Sequence, residues 1–268
     1  MTDWLIDGRP GGEVSPDDRG LLYGDALFET IAFRAERAPL WDLHWQRLDR
    51  GCQFLGLNTP DARQLLTECQ SLCAGHVASV IRLTLTRGSG GRGYWPPEPA
   101  CSRRIIQRRG WPAGLNEQRN SGLDLVTSPV RLASGSILAG LKHGNRLEQV
   151  MAARACQQIG ADEAVMLDNQ GRVVEAISSN LLIELNGAII SPLADSGVDG
   201  VGLAWLRARL GDVIETAVLS ERDLQAADAI TVINSVAGIR PARSLDGRRL
   251  NPGSGCRLWQ QLWNEDLS

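Results

Sequence analysis

The sequence predicts a mixed α/β chain of two domains. Three observations carry that reading: apolar residues at helical spacing over 41–57, β-branched alternation over 76–88, and a break without apolar period at 110–122, after which both patterns return. The break sets the expected organisation as an N-terminal α/β domain over 1–115, a linker over 116–121 and a C-terminal domain over 122–268. At 268 residues each half is long enough to bury its own core.

In chain order, MTDWLIDGRP reads as a short strand and turn. WDLHWQRLDRGCQFLGL, residues 41–57, sets Trp41, Trp45, Leu48, Cys52 and Leu55 on one helical stripe, with Arg47 off it. A second helix is expected at 61–74, a strand at 76–88 that ends at glycine, and a further strand at 103–109. Beyond the break come a strand at 123–128, a helix at 146–159 and strands at 163–168, 172–177 and 180–185. A helix at 200–210 and a strand at 228–233 follow.

Bulk properties exclude several function classes. The net charge is −3 and the arginines are dispersed among 31 acids, so no basic stripe suggests nucleic acid. No run of 18 apolar residues and no export signal is visible, which gives the expectation of a cytoplasmic protein that binds no membrane. Six cysteines without regular spacing read as reduced thiols. Cys69, Cys73 and His76 share one side of a helix, but they lack a CxxC pair and a fourth ligand, so no metal is expected.

GLKHGNRLEQ, residues 140–149, holds the single lysine of the chain, against 27 arginines. Arginine stays protonated and serves as neither an amine nucleophile nor a base, whereas lysine does both when its surroundings disfavour the charge. Lys142 is therefore a Schiff-base candidate; base bias in the coding sequence is the compositional alternative. Asn145 and Glu148 have the spacing of a capping box and Gly160 is placed to end the helix, which would put Lys142 just outside a helix N-terminus. There the helix dipole disfavours an ammonium.

Gly88, Gly90 and Gly93 in TRGSGGRGYWPPEP form a GxGxxG pattern, yet Pro96, Pro97 and Pro99 deny it the helix that a dinucleotide site needs. Arg87, Arg92 and Tyr94 in a loop of exposed amides suit carboxylates better.

LAGLKHGNRLEQVMAARA, RVVEAISSNLL, LTRGSGGRGY and LYGDALFETI, in their order and spacing along the chain, resemble the fold-type IV pyridoxal-phosphate enzymes. The first and third segments resemble the 4-amino-4-deoxychorismate lyases within that family, while VVEAISSNLL is shared with its D-amino-acid and branched-chain aminotransferases. Lyases of the family often carry leucine where this chain has Gly144. The resemblance implies a two-domain fold with pyridoxal 5'-phosphate in the interdomain cleft, a homodimer, and 4-amino-4-deoxychorismate as the small-molecule substrate, cleaved to 4-aminobenzoate and pyruvate in folate biosynthesis. It implies that Lys142 condenses with the cofactor aldehyde and that Glu175 keeps a proton on the pyridine nitrogen. Arg47 matches the phosphate-binding arginine, and the amides at Val201 and Gly202, with Asn234 and Ser235, match further phosphate contacts. Ser178, Ser179 and Asn180 would line the same pocket, and Arg87, Arg92 and Tyr94 would meet the substrate.

Two alternatives use the same residues differently. A fold-type IV aminotransferase acting on D-amino or branched-chain amino acids would share Lys142, Glu175 and Arg47 and differ in the glycine-arginine loop. A catalytically silent, phosphate-binding relative would share the fold alone.

Overall fold

The computed structural model describes residues 2–193 and 195–267. Its internal contacts divide the chain into one unit of Met1–Trp111 with Leu141–Asn145, and a second of Pro112–Gly140 with Arg146–Ser268. The lysine segment thus belongs with the N-terminal unit although its neighbours in sequence do not.

The first unit contains β1 (Trp4–Ile6), β2 (Arg9–Pro10), α1 (Arg19–Tyr23), β3 (Ala26–Arg34), α2 (Trp41–Leu55), α3 (Ala62–Cys73), β4 (Ala78–Thr86) and β5 (Arg103–Gly110). The strands form an antiparallel sheet in the order β2-β1-β5-β4-β3. Alternation along β3 and β4 sends Leu27, Ile31, Phe33, Ile81, Leu83 and Leu85 to one face, where they pack with Leu48 and Cys52 of α2 and Leu65, Cys69 and Cys73 of α3. Removing each such large side chain from water contributes roughly 1.5–3 kcal/mol. The two expected helices and strands β4 and β5 lie where the periodicity places them. β3, although the longest partner of β4, was not anticipated.

The second unit contains α4 (Leu115–Ser121), β6 (Leu123–Leu132), α5 (Leu147–Ile159), β7 (Glu163–Asp168), β8 (Val173–Ala176), β9 (Asn180–Leu185), β10 (Ala188–Pro192) and α6 (Val201–Leu210). There follow β11 (Ile214–Ala217), α7 (Glu221–Ala226), β12 (Ala229–Asn234), β13 (Gly238–Leu245), β14 (Arg248–Arg249) and α8 (Cys256–Leu267). Among the described residues the strands run β11-β10-β9-β12-β13-β6-β7-β8, with β14 on β13. β6 pairs in parallel with β7 and β13, and α5 provides the crossover from β6 to β7 that a parallel pair requires. The core joins Leu123, Leu125, Val165, Leu167, Leu181, Ile183, Ile230 and Val232 from these strands.

Two expectations need correction. The stretch 116–121, read as linker because it lacks apolar period, lies in α4, which Leu115 anchors in the protein interior. The capping box of Asn145 and Glu148 does not form. Helix α5 starts at Leu147 with Arg146 as its N-cap and no side-chain cap, and Glu148 accepts a hydrogen bond from the Ala133 amide at 3.2 Å instead. Its C-terminus does end on Gly160, whose φ of 78° lets its amide reach the Cys156 and Gln157 carbonyls.

Candidate active site

Lys142 is held by its backbone to the edge of the first unit's sheet. The Phe28 amide donates to the Lys142 carbonyl at 2.9 Å, the Gly144 amide donates to the Ala26 carbonyl at 2.7 Å, and His143 bridges Leu27. These bonds extend β3 by a short antiparallel partner. The Lys142 Nζ lies 4.5 Å from the centre of the Phe28 ring, and the Arg82 guanidinium lies 3.4 Å from the same ring centre. Asn145 packs over Gly24: a Cβ at that glycine would come within 2.1 Å of Asn145 Oδ1, and its φ of 65° is also one that side chains rarely adopt. Gly144 also approaches the Gly24 backbone, since a Cβ there would lie 2.9 Å from the Gly24 carbonyl oxygen.

Below this edge, Glu29 points from β3 to the helix-covered face. Arg47 Nε donates to Glu29 Oε1 at 2.8 Å, Arg47 Nη2 binds Glu29 Oε2, and His44 Nδ1 lies 2.6 Å from the same oxygen. All three side chains are buried. Burial by itself would raise the Glu29 carboxyl, but the Arg47 charge and the hydrogen bonds from Arg47 and His44 outweigh it and bring the group down to about 2. Burial pushes His44 below the ordinary imidazole value; Glu29 opposes that, while the charges of Arg47 and Lys142 add to it. Arg47, expected off the apolar stripe, is therefore not a solvated residue. His44 and Glu29 were missed, although a signal existed: Glu29 is an acid at a core-facing position between Leu27 and Ile31, and His44 precedes Leu48 by one helical turn.

The glycine-arginine loop between β4 and β5 contains no helix. Arg87, expected to meet substrate, instead clamps Asp25 through Nε at 2.7 Å and Nη2 at 3.1 Å, and donates to the Gly56 and Leu55 carbonyls at 3.0 and 2.7 Å. Arg19, on the other side of Asp25, donates to the Gly93 carbonyl at 2.8 Å and the Tyr94 carbonyl at 3.3 Å. The loop is thus a braced element whose tip presents Arg92 and Tyr94, both exposed. A tight turn closes that tip, with paired backbone bonds between Arg92 and Trp95.

In the second unit Glu175 is buried at β8, and its Oε2 accepts the Val198 amide at 2.9 Å. Asn180 Nδ2 donates to the Val198 carbonyl at 3.0 Å, which fixes the same turn from the other side. Ser178 Oγ donates to Glu163 Oε2 at 2.8 Å, and Ser179 Oγ accepts from Asn234 Nδ2 and Arg240 Nη2, each at 3.1 Å. These hydroxyls brace the loop after Glu175. Val201 and Gly202 open α6, and the helix start sits against the end of β12: a Cβ on Gly202 would lie 3.1 Å from the Asn234 carbonyl carbon. Asn234 Oδ1 accepts the Val236 and Ala237 amides at 3.0 and 2.7 Å, shaping the turn that carries Ser235. The first-turn amides of α6 have no partner inside the helix, which makes its N-terminus suited to an anion.

Cys69 and Cys73 belong to the core of the first unit. Burial raises both thiols, Cys73 to about 11, so neither is poised as a thiolate ligand.

The model of the family described as amino-transferase class IV matches residues 26–245. The chain belongs to this family. Aminodeoxychorismate lyase of Vibrio harveyi is 30% identical over 245 residues, covering 90% of each protein. The crystal structure of 4-amino-4-deoxychorismate lyase from Pseudomonas aeruginosa is 40% identical, with a TM-score of 0.91 over 98% of this chain and 99% of that one. Branched-chain-amino-acid aminotransferase of Escherichia coli is 26% identical over 247 residues, covering 87% of this chain and 80% of its own length.

Class IV aminotransferases use pyridoxal phosphate, and the donors that each unit offers are of the kinds that group takes. The single lysine amine lies on the Phe28 ring, a buried arginine is fixed by a carboxylate, and a buried carboxylate is held by a backbone amide. Gly202 lets the first turn of α6 lie close against Ile233 and Asn234 at the end of β12, and the first-turn amides suit an anion such as a phosphate.

Proposed function

We propose that the chain is a pyridoxal-phosphate-dependent lyase that converts 4-amino-4-deoxychorismate to 4-aminobenzoate and pyruvate. The observation that carries this reading is the 40% identity, over nearly the whole chain, to the structure of the lyase of Pseudomonas aeruginosa, against 24% to the structure of the branched-chain aminotransferase of Escherichia coli. Bound pyridoxal phosphate supplies an aldehyde that condenses with amines and a pyridinium ring that takes up an electron pair.

The residues divide that work as follows. Lys142 would hold the group by its aldehyde and, as a free amine, would take the proton from the substrate ring carbon that bears nitrogen. Glu175, its orientation fixed by the Val198 amide, keeps the pyridine nitrogen protonated. Arg47 and the amides of Val201 and Gly202 hold the phosphate, with Asn234 and Ser235 shaping the adjoining turn. Ser178, Ser179 and Asn180 hold the Glu175 loop in place. Arg92 and Tyr94, at the tip of the loop that Arg87 and Arg19 brace, bind the substrate carboxylates.

The two products together contain every atom of the substrate, so the reaction needs neither water nor an oxidant. The carbon–oxygen bond to the enolpyruvyl group breaks, a proton returns to that group, and the ring becomes aromatic, which supplies much of the driving force. The chain's task is positioning. The same reading, on the family resemblance, takes the enzyme as a cytoplasmic homodimer; among the described residues no helix is long and apolar enough to cross a membrane.

The test is a product assay on purified protein loaded with pyridoxal phosphate. Equal amounts of 4-aminobenzoate and pyruvate from 4-amino-4-deoxychorismate are expected. Keto-acid formation from D-alanine or leucine without 4-aminobenzoate would assign the chain to the aminotransferases instead.

A further inference from the structure

We infer that Glu29, locked in place by His44, is the positioning residue that presents the Arg47 guanidinium to the cofactor phosphate; this rests on the phosphate-binding role proposed above for Arg47. Glu29 pairs with Leu83 in the middle of the β3–β4 ladder, so its backbone is fixed by strands on the side of the sheet that α2 covers. His44 and Arg47 are three residues apart on α2 and therefore face it together.

An arginine side chain has many rotamers, and a guanidinium becomes directional only when a carboxylate takes two of its donors in one plane. Glu29 does this through both oxygens, with Arg47 Nε on Oε1 and Arg47 Nη2 on Oε2. A single carboxylate would still be able to rotate with the arginine. His44 prevents it, since its Nδ1 holds Oε2 at 2.6 Å from the opposite side.

The imidazole makes little sense as mere filling. It is 1% exposed, and its Nε2 is buried with no hydrogen-bond partner among the described residues. A buried nitrogen left without a partner costs free energy that an aliphatic side chain of similar size would avoid. The one bond the ring makes is to Glu29, so the ring acts through Glu29. Burial and the neighbouring Arg47 and Lys142 charges keep the imidazole neutral, which makes Nδ1 the protonated nitrogen and the donor to the carboxylate.

The experiment compares affinities for pyridoxal phosphate and for pyridoxal, which lacks the phosphate, in wild type, Glu29→Gln, Arg47→Ala and the double variant. If Glu29 acts by aiming Arg47, Glu29→Gln should weaken pyridoxal phosphate on the order of tenfold and leave pyridoxal unchanged. Added to Arg47→Ala, it should have no further effect on the ratio. An unchanged or raised ratio in Glu29→Gln, with a collapsed ratio in Arg47→Ala, overturns this inference and leaves the phosphate role of Arg47 standing. A ratio untouched by Arg47→Ala removes that role, and the inference with it. Should Glu29→Gln not fold, the wild type still decides: nitrogen-15 spectra should show His44 as the neutral Nδ1–H tautomer, and the Nε2–H tautomer overturns the inference. His44→Asn, which places an amide nitrogen near the Nδ1 position, should retain the pyridoxal phosphate preference that His44→Leu loses.

Discussion

The Phe28 amide donates to the Lys142 carbonyl at 2.9 Å, and the Lys142 Nζ lies 4.5 Å from the centre of the Phe28 ring. Backbone and side chain of the lysine are thus referred to the same residue of β3. A ring face attracts a cation by about 0.5–2 kcal/mol, so Phe28 orients the amine without removing its ability to react.

Replacing Lys142 with Arg keeps a cation over that ring but removes the only side-chain amine. The variant should fold with a cofactor-free Tm close to wild type, show no visible band with pyridoxal phosphate, and yield no 4-aminobenzoate. In wild type, borohydride reduction should fix the cofactor on the peptide containing residues 140–149. Turnover retained by the arginine variant would make the lone lysine a compositional accident.

Glu175→Gln should retain pyridoxal phosphate, because the proposed phosphate contacts lie elsewhere. Without a carboxylate to hold the proton on the pyridine nitrogen, kcat should fall by about 10²–10⁴. Rates equal to wild type in a stopped-flow or product assay would take Glu175 out of the chemistry.

The loop tip gives a substrate-side prediction. Gly91 has φ of 80°, and a Cβ there would lie 2.2 Å from the Trp95 carbonyl oxygen. Gly91→Ala should therefore reshape the turn bearing Arg92 and Tyr94. kcat/KM should drop on the order of 10–100-fold, mostly through KM, while the cofactor spectrum and Tm stay put. Loss of bound cofactor in that variant would show that the loop serves the cofactor rather than the substrate.

The Glu29 carboxyl predicts a pH dependence of stability. Its folded value of about 2 lies below the ordinary 4.5, so the group stabilises the fold above pH 4.5, and that contribution disappears as pH falls from there to about 2. The size is about 3 kcal/mol. Denaturant midpoints for wild type and Glu29→Gln should differ most above pH 5 and converge as pH approaches 2. A difference that stays constant across that range would mean that the carboxylate charge is not what the fold uses.

Element types were legible because periodicity is a local property. The strands at 163–168 and 180–185, the helix over 201–210 and the glycine that ends α5 all follow from residues within a turn or two of each other. The candidate lysine was legible for a different reason: only one residue of its kind is present. What misled was composition without context. The stretch 116–121 lacks an apolar stripe because α4 docks through buried Leu115 together with the polar contacts of Gln118 and Arg119, and a capping box at 145–148 is a spacing that a tertiary partner, the Ala133 amide, overrode.

By itself, then, the sequence determined the type of the strongly periodic segments, among them α2, α3, β4 and α5, and which single residue carries a side-chain amine, since both depend on near neighbours or on residue identity alone. Only the tertiary structure decided the partners of the charged side chains. Arg87 meets Asp25 across 62 residues of sequence and Arg47 meets Glu29 across 18, because strand register and helix docking bring those atoms within hydrogen-bond distance. A buried guanidinium must find an anion, and which anion it finds is set by the fold.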